Sequence, residues 1–279
     1  MRIDNISFPL IVELLPQSYD LIGVANIHAG TYKLIDDAKK VKNYAHAVDV
    51  PNVRKIGRYS LPKEYLAAMI QRMVEITAIP HIVTRDVNKN ELIAKILYCK
   101  HEQIQNILIC KGDEFPINSG VRNVNDTRVT DLIEMAYNIS TDTFSDSCII
   151  GTVNPLLDNH MTVMKNKKEA GASVFVLQIG DPEKVIEFAR KCKESRIDGK
   201  MIASVMSFKD EKDAKLARSR YRLGTSDRDL ERMKKDSNEG LKIAMEHATA
   251  YRKSEYIDGL YVVSRGNVDD AKKILKAIK

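Results

Sequence analysis

Residues 148–178 read CIIGTVNPLLDNHMTVMKNKKEAGASVFVLQ, and the change of period along them decides the fold. CIIGTVNP (148–155) is an apolar run closed by Asn154-Pro155, the pattern of a buried strand ended by a turn. HMTVMKNKKEAG (160–171) then sets apolar residues at helical spacing against a lysine-rich face, and Gly171 suits a helix C-cap. SVFVLQ (173–178) is apolar again, rich in β-branched and aromatic side chains. Two buried strands joined through one helix run parallel, by a right-handed crossover.

The same alternation extends in both directions. PLIVELL (9–15), LIGVANI (21–27), HIVTRD (81–86), NILICKGD (106–113), MIASVM (201–206) and GLYVVS (259–264) bring the strand-like runs to eight. Helical patterns lie between them at 61–77, 88–103, 129–139 and 182–196. The stretch 28–60 reads as a long connection with an extra helix, TYKLIDDAKKVKNYAHAV, and a loop. The charged region 209–240 reads as two solvated helices around Gly224. Eight such units in about 250 residues predict a single-domain α/β chain, a closed (β/α)8 barrel over residues 1–279. An open doubly wound sheet would carry a glycine-rich phosphate turn after its first strand, and no such turn is present.

Composition narrows the function. The chain has 279 residues, 44% hydrophobic and 29% charged, with a formal charge of +6 spread along its length. That balance favours small anionic ligands over nucleic acid, which calls for a clustered basic stripe with aromatics. No run reaches the roughly 20 apolar residues of a membrane span. The first residues lack the basic head, apolar stretch and cleavage site of a secretion signal. Cys99, Cys110, Cys148 and Cys192 show no metal spacing, so they read as reduced thiols of a cytoplasmic protein with no metal site.

In a barrel the carboxyl ends of the strands converge on one mouth. Reading those ends gives Glu13, Asn26, Thr84-Arg85-Asp86, Lys111 with Asp113, Asn154, Gln178, Ser207-Phe208 and Ser264-Arg265. This is a small-molecule site, mostly neutral hydrogen-bonding groups with a few charges. Glu13 stands out because it interrupts an apolar run, IVELLP, where an ionised carboxylate is costly unless paired. It reads either as a glutamate paired with an arginine of a neighbouring strand, or as an acid whose pKa is raised by apolar surroundings.

VELLP, IPHIVTRD, NILICKGD, GTVNP and KNKKEAGASVFVLQ, in that order, resemble the methylenetetrahydrofolate reductases, and in particular the branch fused to homocysteine methyltransferase in some bacteria. The resemblance covers residues 8–208 well and the last seventy weakly. It implies a flavoenzyme of one-carbon metabolism and methionine biosynthesis. NAD(P)H passes a hydride to FAD, and the flavin passes it to 5,10-methylenetetrahydrofolate. On that reading Glu13 is the acid at a folate nitrogen, and Asp113 faces the cationic iminium. Gln178 meets the pterin edge, and Phe208 and Asn26 complete the substrate contacts. His81, Thr84, Lys111, Gly112, Asp113, Asn154, Lys167 and Ala170 hold the cofactor. Taken alone, His81 is as well read as a structural histidine, and Lys165, Lys167 and Lys168 as a solvated helix face.

The pattern departs from the family at three places. Ala25 stands where the second-strand motif has a threonine at the flavin, Asn166 stands for an arginine beside the phosphate lysine, and Val262 for a late tyrosine. Each lost contact is worth about 1 kcal/mol. FMN, or a flavin-free enzyme in which the nicotinamide meets the folate directly, therefore stays open beside FAD. So do a non-catalytic barrel that binds a pterin or a partner subunit, a barrel enzyme for a phosphorylated metabolite, and assembly as a homo-oligomer.

Overall fold

Strands of four to seven residues, each followed by at least one helix, close on themselves in the computed structural model, which describes residues 1–19, 26–53, 59–113, 124–141, 147–236 and 238–279. The strands are β1 (Leu10–Glu13), β2 (Ala47–Val50), β3 (Thr77–Val83), β4 (Asn106–Cys110), β5 (Cys148–Val153), β6 (Val174–Leu177), β7 (Lys200–Met206) and β8 (Gly259–Val263). They pair in sequence order, all parallel, and β8 returns to β1 through Tyr261 opposite Ile11 and Val263 opposite Glu13. The helices are α1 (Ile27–Val41), α2 (Lys63–Val74), α3 (Lys89–His101), α4 (Val129–Thr141), α5 (His160–Glu169) and α6 (Pro182–Glu194). Then α7 (Glu211–Tyr221), α8 (Asp227–Lys235) and α9 (Glu239–Lys253) all follow β7, and α10 (Val268–Lys276) follows β8. The predicted (β/α)8 barrel is the fold. Among the described residues no helix is long and apolar enough to cross a membrane.

Alternation along each strand divides the apolar residues into two cores. Val12, Val48, Ile82, Ile109, Ile149 and Phe175 face outward and pack beneath the helices. Ile11, Ala47, Ile79, Leu108, Ile150, Val176 and Ile202 face inward and fill the lower barrel. A short 3-10 turn at Ile3–Asn5 closes the amino end. Ile3 joins the inner core, and its N–H donates to Asn106 Oδ1 at 2.8 Å, while Asn106 Nδ2 donates to the Met1 carbonyl at 2.8 Å. With its base filled and plugged, the barrel opens at the carboxyl end.

Two expected strands lie elsewhere. The second strand is Ala47–Val50, inside the stretch read as a helical connection, and not LIGVANI. Residues 21–25 of that run lie outside the described residues, Asn26 precedes α1, and Ile27 begins it. The expected helix at 31–48 begins earlier, at Ile27, and ends at Val41, which frees His46-Ala47-Val48-Asp49-Val50 to extend. The third strand starts at Thr77 rather than His81 and contains Pro80. Pro80 ends the ladder with β2, opposite Val50, and the ladder with β4 begins one residue later at His81. A residue without an N–H is tolerated at that changeover.

Candidate active site

Above the inner apolar layer the lining of the barrel turns polar. Glu13 ends β1, and Asp49 lies beside it in register on β2. His81 points inward two residues beyond Ile79 on β3, and Tyr261 of β8 sits one level lower, opposite Ile11. The length of the tyrosine brings its hydroxyl up into the group. Tyr261 Oη lies 2.7 Å from Asp49 Oδ2 and 3.0 Å from Glu13 Oε2. His81 Nε2 lies 2.7 Å from the same Asp49 Oδ2. Asp49 has no exposed surface, Tyr261 is 4% exposed, and the His81 side chain keeps 14%. Glu13 is half-buried.

Burial and the neighbouring Asp49 push the Glu13 carboxyl up to about 7, against the opposing pull of His81 and the Tyr261 hydroxyl. Burial by itself would lower His81. The Asp49 carboxylate and the nearby Cys110 outweigh it and hold the imidazole well above its usual value. Burial, Asp49 and Glu13 together drive the Tyr261 phenol well above the usual range. Near neutral pH the mouth therefore holds a carboxyl able to give a proton, a positively charged imidazole and a neutral phenol.

Comparison with known proteins gives the family of the chain. A family model described as methylenetetrahydrofolate reductase matches residues 26–274. The chain belongs to the methylenetetrahydrofolate reductase family. Glu13 precedes the matched residues and is joined to them by the pairing of β1 with β2 and β8. No curated protein matches the chain. Among solved structures, the tryptophan synthase complex from Pyrococcus furiosus is 12% identical over 100% of this chain and 95% of that one, with a TM-score of 0.51. Orotidine 5'-phosphate decarboxylase from Pyrococcus horikoshii OT3 is 14% identical over 96% and 99%, with a TM-score of 0.52. Both likenesses are of fold alone.

In this reductase-family barrel the other expected site residues divide. Thr84 is buried just past β3, its N–H donating to the Cys110 carbonyl at 3.1 Å, beside the loop that carries Lys111, Gly112 and Asp113. Lys111 and Asp113 are exposed on the rim. Gly112 has φ +83°, and a Cβ there would meet Val83 Cβ at 3.0 Å, so backbone is presented bare at the mouth. Gln178 is half-buried at the end of β6, and its amide makes no hydrogen bond to another described residue. Asn26 is exposed at the start of α1.

Four assignments change. Asn154 accepts from the Leu156 N–H at 3.0 Å and donates to the Arg222 carbonyl, so its side chain builds the turn after β5. Lys167 is buried against the outside of the barrel, where Gly151 leaves room for its stem, and its ammonium donates to the Thr152 carbonyl at 2.5 Å. It is neither a solvated lysine nor turned outward to a phosphate. Ala170 follows α5 where the chain enters the amino end of β6, on the face away from the mouth. Phe208 packs among Ile179, Met206, Leu230 and Met233 and is 6% exposed. What shows of it borders a cleft of about 670 Å³ between the loops after β7 and β8, which also carries Lys209 and Arg265.

Of the three departures from the family pattern, Ala25 lies outside the described residues, and on the observed second strand it is Asp49 that stands beside Glu13. Val262 faces the helices, and its neighbour Tyr261 faces inward. Asp49 and Tyr261 belong to the same buried polar group as Glu13 and His81, and the sequence reading missed both. The same signal that exposed Glu13 marks Asp49, a carboxylate inside the short apolar run AVDV.

Proposed function

We propose that this barrel reduces 5,10-methylenetetrahydrofolate to 5-methyltetrahydrofolate, with a reduced nicotinamide nucleotide as the hydride source. The observation that carries the reading is Glu13, a half-buried carboxyl at the mouth, 3.0 Å from the Tyr261 hydroxyl, with its pKa pushed up by burial and by Asp49 beside it. Opening the five-membered ring of the substrate requires a proton on the departing nitrogen, and Glu13 donates it. Once the ring opens the carbon is a cationic iminium, and the rim carboxylate of Asp113 stabilises that charge. Gln178 offers a donor and an acceptor to the pterin edge. The cleft beside Phe208 sets Lys209, Arg265 and Lys273 against Asp213 and Asp270, and Lys209, which lies outside the Arg265–Asp213 and Lys273–Asp270 pairs, receives the anionic end of the molecule.

The fit to a flavin is divided. Bare backbone at Gly112 and the inward-facing His81 suit the ring, which supplies two-electron transfer between nicotinamide and folate when bound. The far end fits less well, because Lys167 is committed to Thr152 and Ala170 lies at the opposite face. That mismatch favours a second reading, direct transfer from the nicotinamide to the iminium.

One preparation separates the two. Purified protein is examined for the flavin band at about 450 nm, then supplied with methylenetetrahydrofolate and NADH or NADPH. Formation of 5-methyltetrahydrofolate by coloured protein supports the flavoenzyme, and formation by colourless protein without added flavin supports direct transfer. No product with either nucleotide, with FAD or FMN added, overturns the reductase reading.

A further inference from the structure

The mouth contains one carboxylate more than the proposed reaction uses. Asp49 is fully buried, adjoins the acid in register, and leaves its Oδ1 without a hydrogen bond among the described residues. Such a group costs stability whatever it does, so its presence calls for an explanation.

The proton count around Tyr261 says what depends on it. The phenol has one hydrogen and two carboxyl neighbours, Asp49 Oδ2 at 2.7 Å and Glu13 Oε2 at 3.0 Å. The shorter contact takes the phenolic hydrogen to Asp49. The longer contact is then a hydrogen bond only if Glu13 is the donor. Two carboxylates this near each other resist being ionised together, and the imidazole of His81 lies 2.7 Å from Asp49 Oδ2.

We propose that Asp49 is a positioning residue for the acid, acting through the Tyr261 hydroxyl and balanced by His81, so that Glu13 keeps its proton until substrate arrives. The inference rests on the reading of Glu13 as the acid. The groups facing Glu13 are Asp49 from β2, His81 from β3 and Tyr261 from β8, with Cys110 of β4 beside His81. Replacement of Asp49 by asparagine removes the like charge. It also gives Tyr261 a donor, which turns the phenolic hydrogen toward Glu13 and favours the ionised form there. Loss of the His81 charge acts the other way.

Difference infrared spectroscopy reads this directly. The carbonyl stretch of protonated Glu13, identified by its absence in Glu13→Gln, is titrated in the wild type, Asp49→Asn and His81→Gln. Asp49→Asn lowers the midpoint by about one unit or more, a tenfold change in proton affinity, and His81→Gln raises it. Opposite shifts are not what general loosening of the barrel produces. Asp49→Ser, with the same downward shift expected, replaces Asp49→Asn should that variant fail to fold. An unchanged midpoint on loss of Asp49, or shifts of the same sign in both variants, overturns the inference. The titration needs no turnover: a wild type inactive on folate would refute the reductase reading and leave this result standing, and an active wild type with unmoved midpoints would do the reverse.

Discussion

Substitution of Glu13 by glutamine is expected to make the protein more stable and far less active, with the stability gain depending on pH. The folded carboxyl sits at about 7, raised from an ordinary 4.5 chiefly by burial. A carboxyl raised by folding binds more protons in the native than in the unfolded state between these two values. Wild-type stability therefore falls as pH rises through that window. A difference of about 2.5 units at about 1.4 kcal/mol each gives an upper figure of about 3.5 kcal/mol, reduced in practice because Glu13 keeps some exposure. Glutamine has the same shape and no charge to desolvate, so it escapes this loss. Urea unfolding of both proteins from pH 5 to 8 should show Glu13→Gln gaining on the wild type by up to about 3 kcal/mol, levelling off above pH 7. Over the same range folate reduction in the variant falls by roughly 10²- to 10⁴-fold, the usual contribution of a positioned acid. Reduction of any bound flavin by the nicotinamide is largely kept. A stability difference that does not change with pH, or a variant that still reduces folate at the wild-type rate, refutes the reasoning.

Asn106→Ala should destabilise the protein by about 2–4 kcal/mol, since it removes two hydrogen bonds and strands the buried Ile3 N–H. The urea midpoint measures it, and a loss below about 1 kcal/mol would show that the plug is held by other contacts. Gly112→Ala should cost about 1–2 kcal/mol, because it places a side chain at φ +83° and against Val83; an unchanged midpoint would contradict the backbone strain. Lys167→Met should leave stability unchanged or raised, since the ammonium is buried with one carbonyl as its partner. A fall of more than about 2 kcal/mol, or a loss of cofactor affinity, would restore a binding role to this lysine.

The barrel was legible because its repeating unit is local. Periods of two and 3.6 residues alternate along the chain, and the 148–178 unit reads as it folds, including Gly171 just past α5 with φ +112°. The second strand was hidden by two local ambiguities. AVDV is only four residues and follows a helical stripe without a glycine or proline between them, whereas LIGVANI is longer and more apolar. What selects AVDV is its place between β1 and β3, a matter of distant pairing. The site divides along the same line. Glu13 is visible as a charge in an apolar run. Its partners Tyr261 and Asp49 lie 248 and 36 positions away, and a tyrosine in GLYVVS looks like any strand aromatic. Lys167 shows the converse, since a helix with three lysines does not reveal that Gly151 on the adjoining strand makes a hole for one of them.

The seam where β8 meets β1 gives the site a built-in proofreading of assembly. The phenol and the acid come from the last and first strands of the barrel, and they touch only when these two strands lock together. A nascent or partly collapsed chain carries the glutamate without the phenol it meets in the closed barrel, so this contact forms with completion of the ring rather than piecemeal.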